Sequence, residues 1–306
     1  AEFGSLDITI RTPEPVPYIV RSSLPLREAE ERCYTAHFDS LPDGELTFTL
    51  YPRLSITLAD RLTLRPGRAP GIQVSSSFHF LPTGEKNLAG KAAVCFYQAL
   101  GRPARDLDIS ITKHVPVCAG MAGGSSDAAA VLRALNRLEG APFSPEELAH
   151  VGEAVGSDVP YCVLGCTALA QGRGEVLTPL SPLPHCWVVA CKPDFPVSTP
   201  ELFARIDSCR IRRRPDADGL MAALEQGDLM EVARRMYNVF EDVLPERQLA
   251  RVADIKNTLI QQGALGANMS GTGPTAFGLF SSQNQAQAAY DVLKQRYQEV
   301  FLAETV

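Results

Sequence analysis

The stretch from Pro116 to Ala130, Pro-Val-Cys-Ala-Gly-Met-Ala-Gly-Gly-Ser-Ser-Asp-Ala-Ala-Ala, constrains the fold more than any other part of the chain. An alternating apolar segment, Leu107 to Thr112, precedes it with the period of a strand. An alanine-rich stretch from about Ser126 to Leu138 follows with the composition of a helix. Strand, glycine turn and helix in that order place Gly120, Gly123 and Gly124 where the backbone takes positive φ and lets a ligand come close. Ser125 and Ser126 offer hydroxyls beside the unpaired first amides of the helix, whose N-terminus carries partial positive charge. Such a unit is an anion cradle. It is not a Walker A loop, because no Gly-Lys-Ser/Thr occurs in it. On its own the string also reads as a tight turn with a serine cap.

Composition narrows what such a cradle serves. The 306 residues are 45% hydrophobic, enough for a sizeable core and too apolar for disorder. The formal net charge of −6 and the lack of a basic run argue against a nucleic-acid partner and against a basic membrane patch. None of the eight cysteines forms a C-x-x-C pair; Cys162 and Cys166 share a helix face without a second ligand pair. The thiols are expected to be reduced, in the cytoplasm. Residues 1–5 lack the charged and apolar regions of a signal peptide, and no eighteen-residue apolar run predicts a membrane span.

The remaining pattern mixes strands and helices. Leu6 to Ile10, Leu46 to Leu50, Leu54 to Leu58 and Leu62 to Leu64 alternate as strands, while Pro13, Pro15, Pro17 and Pro25 interrupt any longer element. Helices are expected over Asn87–Leu100, over Pro145–Val155 behind an N-cap at Ser144, near 200–206, 218–225, 228–240 and 247–262, and over Gln283–Tyr297. Trp187 to Cys191 reads as a buried strand, and Met269 to Phe280 as a second glycine turn with a strand. A run of Pro, Ser and Leu around 177–184 marks a boundary, so the domains are expected at 1–178 and 179–306, in an α+β architecture.

Two further segments carry chemistry. Gly156-Ser-Asp-Val-Pro160 presents Asp158, a carboxylate that can accept the proton of an attacking hydroxyl, though alone it reads as a turn residue. Met269-Ser-Gly-Thr-Gly-Pro-Thr275 is equally a simple β-hairpin turn. The three segments together resemble the GHMP kinases, whose phosphate loop runs P-x-x-x-G-L-x-G-G-S-S-x-A; Met121 stands at the leucine. Within that superfamily the resemblance is closest to the kinases of a cytidine-diphosphate-linked methylerythritol. It rests on Asn87-Leu88, on 123–130, on Gly-Ser-Asp-Val-Pro-Tyr at 156–161, on Ala-Gln-Gly-Arg-Gly-Glu at 170–175, on Phe-Pro-Val-Ser-Thr-Pro at 195–200 and on the 269–275 turn.

The resemblance implies a two-domain fold, with an N-terminal domain like ribosomal protein S5 and a ferredoxin-like C-terminal domain. It implies ATP and Mg²⁺ as cofactors and a small alcohol as substrate, in a monomer or homodimer. Asp158 would be the catalytic base. Pro116, Ala119, Gly120, Met121, Ala122, Gly123, Gly124, Ser125 and Ser126 would hold the phosphates, and Asn87 and Lys113 would contact the adenine. Thr199, Phe203, Gly271, Thr272 and Gly273 would border the substrate, where an aromatic offers a face to the base. The Mg²⁺ ligands are not legible.

One family feature has no counterpart. The first motif, P-A-K-x-N-L followed by D-G-Y-H, is missing, and residues 1–85 contain no lysine and no asparagine. Asp43-Gly44 is followed by Glu45-Leu46, leaving Tyr34 and His37 as stand-ins for the base-reading pair. A different alcohol as substrate, or a nucleotide-binding module without turnover, therefore stands beside the kinase reading.

Overall fold

The computed structural model describes Leu6–Arg11, Tyr18–Ser22, Arg27–Glu30, Cys33–Phe38, Phe48–Tyr51 and residues 59–305 apart from 210 and 212. The chain forms two compact units, residues 1–55 and 56–306. In the first, β1 (Leu6–Arg11), β4 (Cys33–Phe38) and β3 (Arg27–Glu30) make an antiparallel sheet in that order, with Leu6 opposite Phe38 and Arg11 opposite Cys33. β2 (Tyr18–Ser22) pairs antiparallel with β5 (Phe48–Tyr51). The strand expected at Leu6–Ile10 is thus present, and Tyr34 and His37 fall in β4. Asp43, Gly44 and the strand expected over Leu54–Leu58 lie outside the described residues.

The second unit opens with a three-stranded sheet. Its centre is β8 (Leu107–Thr112), antiparallel to β6 (Arg61–Pro66) and parallel to β7 (Ile72–Ser76). A parallel pair needs a crossover, and α1 (Leu88–Ala99) supplies it, capped by Asn87, whose side chain accepts from the Ala89 amide at 3.0 Å. The chain leaves β8 into α2 (Gly123–Leu138), then α3 (Pro145–Glu153) and α4 (Val159–Leu164). Ser144 and Glu147 close a capping box on α3. Ile109 and Ile111 from β8 meet Phe96 from α1 and Leu132 and Leu135 from α2 in one core, each almost fully buried.

A hairpin of β9 (Ala168–Gln171) and β10 (Val176–Pro179) leads to the second sheet. That sheet runs β12 (Gly266–Met269), β13 (Ala276–Phe280), β11 (Trp187–Lys192), β14 (Glu299–Glu304), all antiparallel. The helices here are α5 (Thr199–Ser208), α6 (Ala217–Glu225), α7 (Leu229–Arg235), α8 (Glu246–Gln261) and α9 (Gln283–Lys294). α8 packs on β12 and β13, and α9 on β11 and β14, burying Ile255, Leu259 and Leu293. Separate clusters form around Cys186, Ala233 and Leu279 and around Ala223, Leu224 and Val232.

Two expectations change. The helix expected over 228–240 stops at Arg235, because Asn238 turns its amide onto the 269–271 backbone and caps a 3₁₀ turn, Val239–Val243. The last helix stops at Lys294, and Glu299–Glu304 becomes a strand that completes the sheet against β11. Among the described residues no helix is long and apolar enough to cross a membrane.

Candidate active site

Between β8 and α2 the backbone makes its glycine turn. Gly120 (φ 70°), Cys118 (φ 53°) and Ala122 (φ 50°) take left-handed conformations. Positive φ was expected at Gly123 and Gly124, but both sit in the first turn of α2. The turn is finished one residue earlier, at Ala122, which is the N-cap and brings no capping side chain. The first bond inside the helix runs from the Ser126 amide to the Ala122 carbonyl, 2.8 Å. The amides of Gly123, Gly124 and Ser125 are therefore left without a partner in the helix. Ser125 lines the cavity over them. Ser126 does not: its hydroxyl donates back to the Gly123 carbonyl at 2.8 Å.

Gly120 answers to a second requirement. A Cβ there would lie 2.2 Å from the Ser270 carbonyl oxygen and 2.7 Å from the Gly273 nitrogen. The 269–275 turn, between β12 and β13, rests on the phosphate loop at this point. The Ser270 hydroxyl donates to the Gly120 carbonyl at 2.8 Å. Asn238 holds the turn from behind, donating to Met269 O at 2.8 Å and Gly271 O at 2.7 Å, while Glu241 accepts from the Met269 amide at 3.0 Å. On its outer side Thr272 meets Thr199, the first residue of α5, hydroxyl to hydroxyl at 2.9 Å.

Asp158 precedes α4 at its N-cap position, makes no capping bond, lines the cavity and has no side-chain hydrogen bond or ion pair among the described residues. The β9–β10 hairpin closes near it. A Cβ on Gly174 would stand in ordinary contact, 3.4 Å from Ser157 O and 3.6 Å from an Asp158 carboxylate oxygen, so it is the positive φ of 116° and not lack of space that favours glycine in this turn.

These parts surround one cavity of about 560 Å³. Its lining contains Asn87, Lys113, Pro116, Ala119 to Ser125, Asp158, Thr199, Phe203 and Gly271 to Gly273, all of the expected residues except Ser126. Asn87 is partly committed: it caps α1 and donates to Pro82 O at 3.0 Å. Lys113 is more so. Its ammonium is taken up by Asp60 and Asp127, its side chain is 3% exposed and its amide donates to the Ser77 hydroxyl at 3.0 Å, so little of it is left for contact with a base. Phe203 lies edge-on to Phe240, ring centroids 5.1 Å apart. Phe240, Asp127, Leu81 and Lys86 were not expected in the lining. Lys86 had a local signal, standing directly before Asn87. Phe240 had none, since it reaches Phe203 only through tertiary packing. Among the described residues no cluster of His, Cys, Asp and Glu could hold a metal ion by itself.

Family models agree with this geometry. Residues 87–166 match the GHMP kinases N terminal domain and residues 220–299 the GHMP kinases C terminal domain. The chain is 38% identical over 250 residues to a 4-diphosphocytidyl-2-C-methyl-D-erythritol kinase of Alkaliphilus metalliredigens, covering 82% of this chain and 85% of that protein. It is 43% identical over 250 residues to the enzyme of that name from Geobacillus thermodenitrificans, covering 81% and 84%. Among solved structures it resembles a 4-(cytidine 5'-diphospho)-2C-methyl-D-erythritol kinase, with a TM-score of 0.64, 27% identity and 98% of each chain covered. A homoserine kinase from Cytophaga hutchinsonii shares the fold, at a TM-score of 0.64 and 18% identity, with 100% and 96% covered.

Proposed function

This chain belongs to the GHMP kinases, and from that premise we propose that it uses ATP to phosphorylate a hydroxyl, the 2-hydroxyl, of 4-diphosphocytidyl-2-C-methyl-D-erythritol, a step toward isoprenoid precursors. The observation that carries the reading is one cavity holding both an uncapped helix N-terminus and an uncommitted carboxylate, Asp158. Phosphoryl transfer asks little covalent chemistry of a protein; it needs positioning and charge stabilisation.

The free amides at 123–125 and the Gly120 backbone receive the phosphates. Asp158 orients the substrate hydroxyl and accepts its proton as the new P–O bond forms, so no covalent enzyme intermediate is required. Asn87 and Leu88 border the adenine, and the buried Lys113 acts behind them through the phosphate loop. Thr199, Thr272 and the Phe203–Phe240 pair border the cytidine-bearing alcohol, the rings offering a face to the base. Lys86, exposed in the lining, supplies the cation that the family's first motif otherwise brings.

The donor set suits Mg²⁺, which takes few protein oxygens and keeps phosphate and water oxygens around it. The ion would neutralise charge on the phosphates, and Asp158 keeps its role as base. Within the second unit the part up to residue 178 forms the nucleotide side and residues 179–306 the substrate side, a division that the separate cores support. Free cysteines such as the buried Cys186 and Cys191 suit the reducing cytoplasm.

Phosphorus NMR of the product tests the reading. Incubation with ATP, Mg²⁺ and the cytidine substrate should give one new phosphomonoester signal with the diphosphate intact, and mevalonate or homoserine should give none. A phosphomonoester formed equally well on those alcohols would move the specificity elsewhere in the superfamily.

A further inference from the structure

The phosphate loop is bracketed by buried charge. Asp60, just before β6, accepts from the amides of His114 at 2.6 Å and Val115 at 2.9 Å, the first residues after Lys113. The Lys113 ammonium binds Asp60 and also binds Asp127, in the second turn of α2, at 2.9 Å. The three side chains are 2%, 3% and 6% exposed for Asp60, Lys113 and Asp127, so these bonds are formed out of water, where they are strong. Gly123 lies against the same ammonium: a Cβ there would be 3.4 Å from it. The loop between these anchors is what turns its amides toward the cavity.

We propose that Asp60, Lys113 and Asp127 are positioning residues for nucleotide binding, a carboxylate–ammonium–carboxylate clamp that ties the entry of the phosphate loop to the helix leaving it. The proposal rests on the kinase reading for its ligand and on none of that reading's substrate contacts.

The clamp holds two carboxylates against one ammonium, and its two ends differ. Burial pushes Asp60 up, but the bonds from Lys113 and the two amides outweigh it and hold the carboxyl below its ordinary value. Burial pushes Asp127 up to about 6, the Lys113 bond offsetting only part of it. One oxygen of Asp127 is buried with no hydrogen-bond partner among the described residues, as suits a carboxyl that takes up a proton. Lys113 and Asp60 are the charged groups that face it, and Asp158 lines the same cavity. Above its titration the clamp carries a net negative charge beneath the site for anionic phosphates. Nucleotide affinity should then fall as pH rises.

Calorimetry with ADP, alongside KM for ATP and kcat, tests the clamp in the full chain. Lys113→Met leaves two buried carboxylates facing each other. It should weaken ADP binding and raise KM for ATP about tenfold, with kcat changed less than about threefold. Asp127→Asn keeps an acceptor for Lys113 and should bind ADP within about threefold of wild type near pH 5.5. Its affinity should fall less than that of the wild type between about pH 5.5 and about pH 8. A merely structural cluster would lower the melting temperature and leave both the KM split and the pH difference unmoved.

A folded Lys113→Met protein that binds ADP like wild type overturns the proposal. So does an Asp127→Asn protein with the wild-type pH slope, which decides the matter should Lys113→Met not fold. ADP binding needs no cytidine substrate, so failed turnover with intact binding would count against the proposed reaction and not against the clamp.

Discussion

Two glycine turns meet at Gly120, and they differ in what their backbones have left to offer. The phosphate loop ends in a helix whose first three amides have no partner in the helix or among the other described residues. The 269–275 turn joins two antiparallel strands, and its polar groups are largely spoken for: Ser270 N bonds Thr275 O at 2.8 Å, Gly273 N bonds Ser270 O at 2.8 Å, and Asn238 takes two carbonyls. One turn is a receptor and the other a wall. The difference follows from what comes next in the chain, since a helix start exposes donors that a strand ladder consumes. A glycine-rich string identifies a ligand site only together with its successor.

Substitutions separate the two roles. The largest effect is expected for Gly120→Val, where the wall touches the receptor. A β-branched side chain at φ 70°, aimed at a carbonyl oxygen 2.2 Å from its Cβ, forces the turns apart. ADP binding should fall by about 100-fold or more, the cost of misplacing a preorganised site. Near-wild-type calorimetry on the folded protein would mean that the turns work independently.

Asn238→Ala frees the wall without touching the receptor. It leaves the Met269 and Gly271 carbonyls without their donor and should cut kcat/KM for the cytidine substrate about tenfold, as loss of one or two supporting hydrogen bonds does. ADP affinity should stay within about threefold, and equal losses in both measurements would erase the distinction drawn here.

The smallest effect is expected for Ser126→Ala. Sequence alone assigns this hydroxyl to the phosphates, but it is spent on the Gly123 carbonyl. KM for ATP should change less than about threefold. A larger rise would put the hydroxyl back among the ligand contacts.

How much of this was legible depended on distance along the chain. β8, the phosphate loop and α2 are contiguous, so periodicity and glycine placement were enough to find them. The same holds for the helix opening at Asn87-Leu88 and for the glycine turn before β13, whereas the capping role of Asn87 shows only in the structure. The left-handed residue that starts α2 is misplaced from sequence, because local sequence gives no reason to prefer Ala122 over its glycine neighbours. β7 and β14 are absent from the sequence reading, and pairing with β8 and β11 reveals them.

The partners of Lys113 were missed for the same reason. Asp60 lies 53 residues away, and a lysine in a candidate nucleotide site reads from sequence as a ligand contact. Phe240 came to the site through Asn238, whose side chain ends one helix early. Its amide was needed by a turn some thirty residues on.

The central claim is that Asp158, uncommitted in the cavity, is the base that the phosphate loop serves. ADP release measured with and without the cytidine-bearing alcohol, for wild type and Asp158→Asn, tests it most directly. The substitution keeps the shape and removes the charge that orients and accepts the proton. Wild type should release ADP only when the alcohol is present. The Asn variant should bind ADP as well as wild type and lose about 100-fold or more in kcat, the usual worth of a general base. An Asn variant with near-full, alcohol-dependent turnover would contradict the account and put the base on another residue.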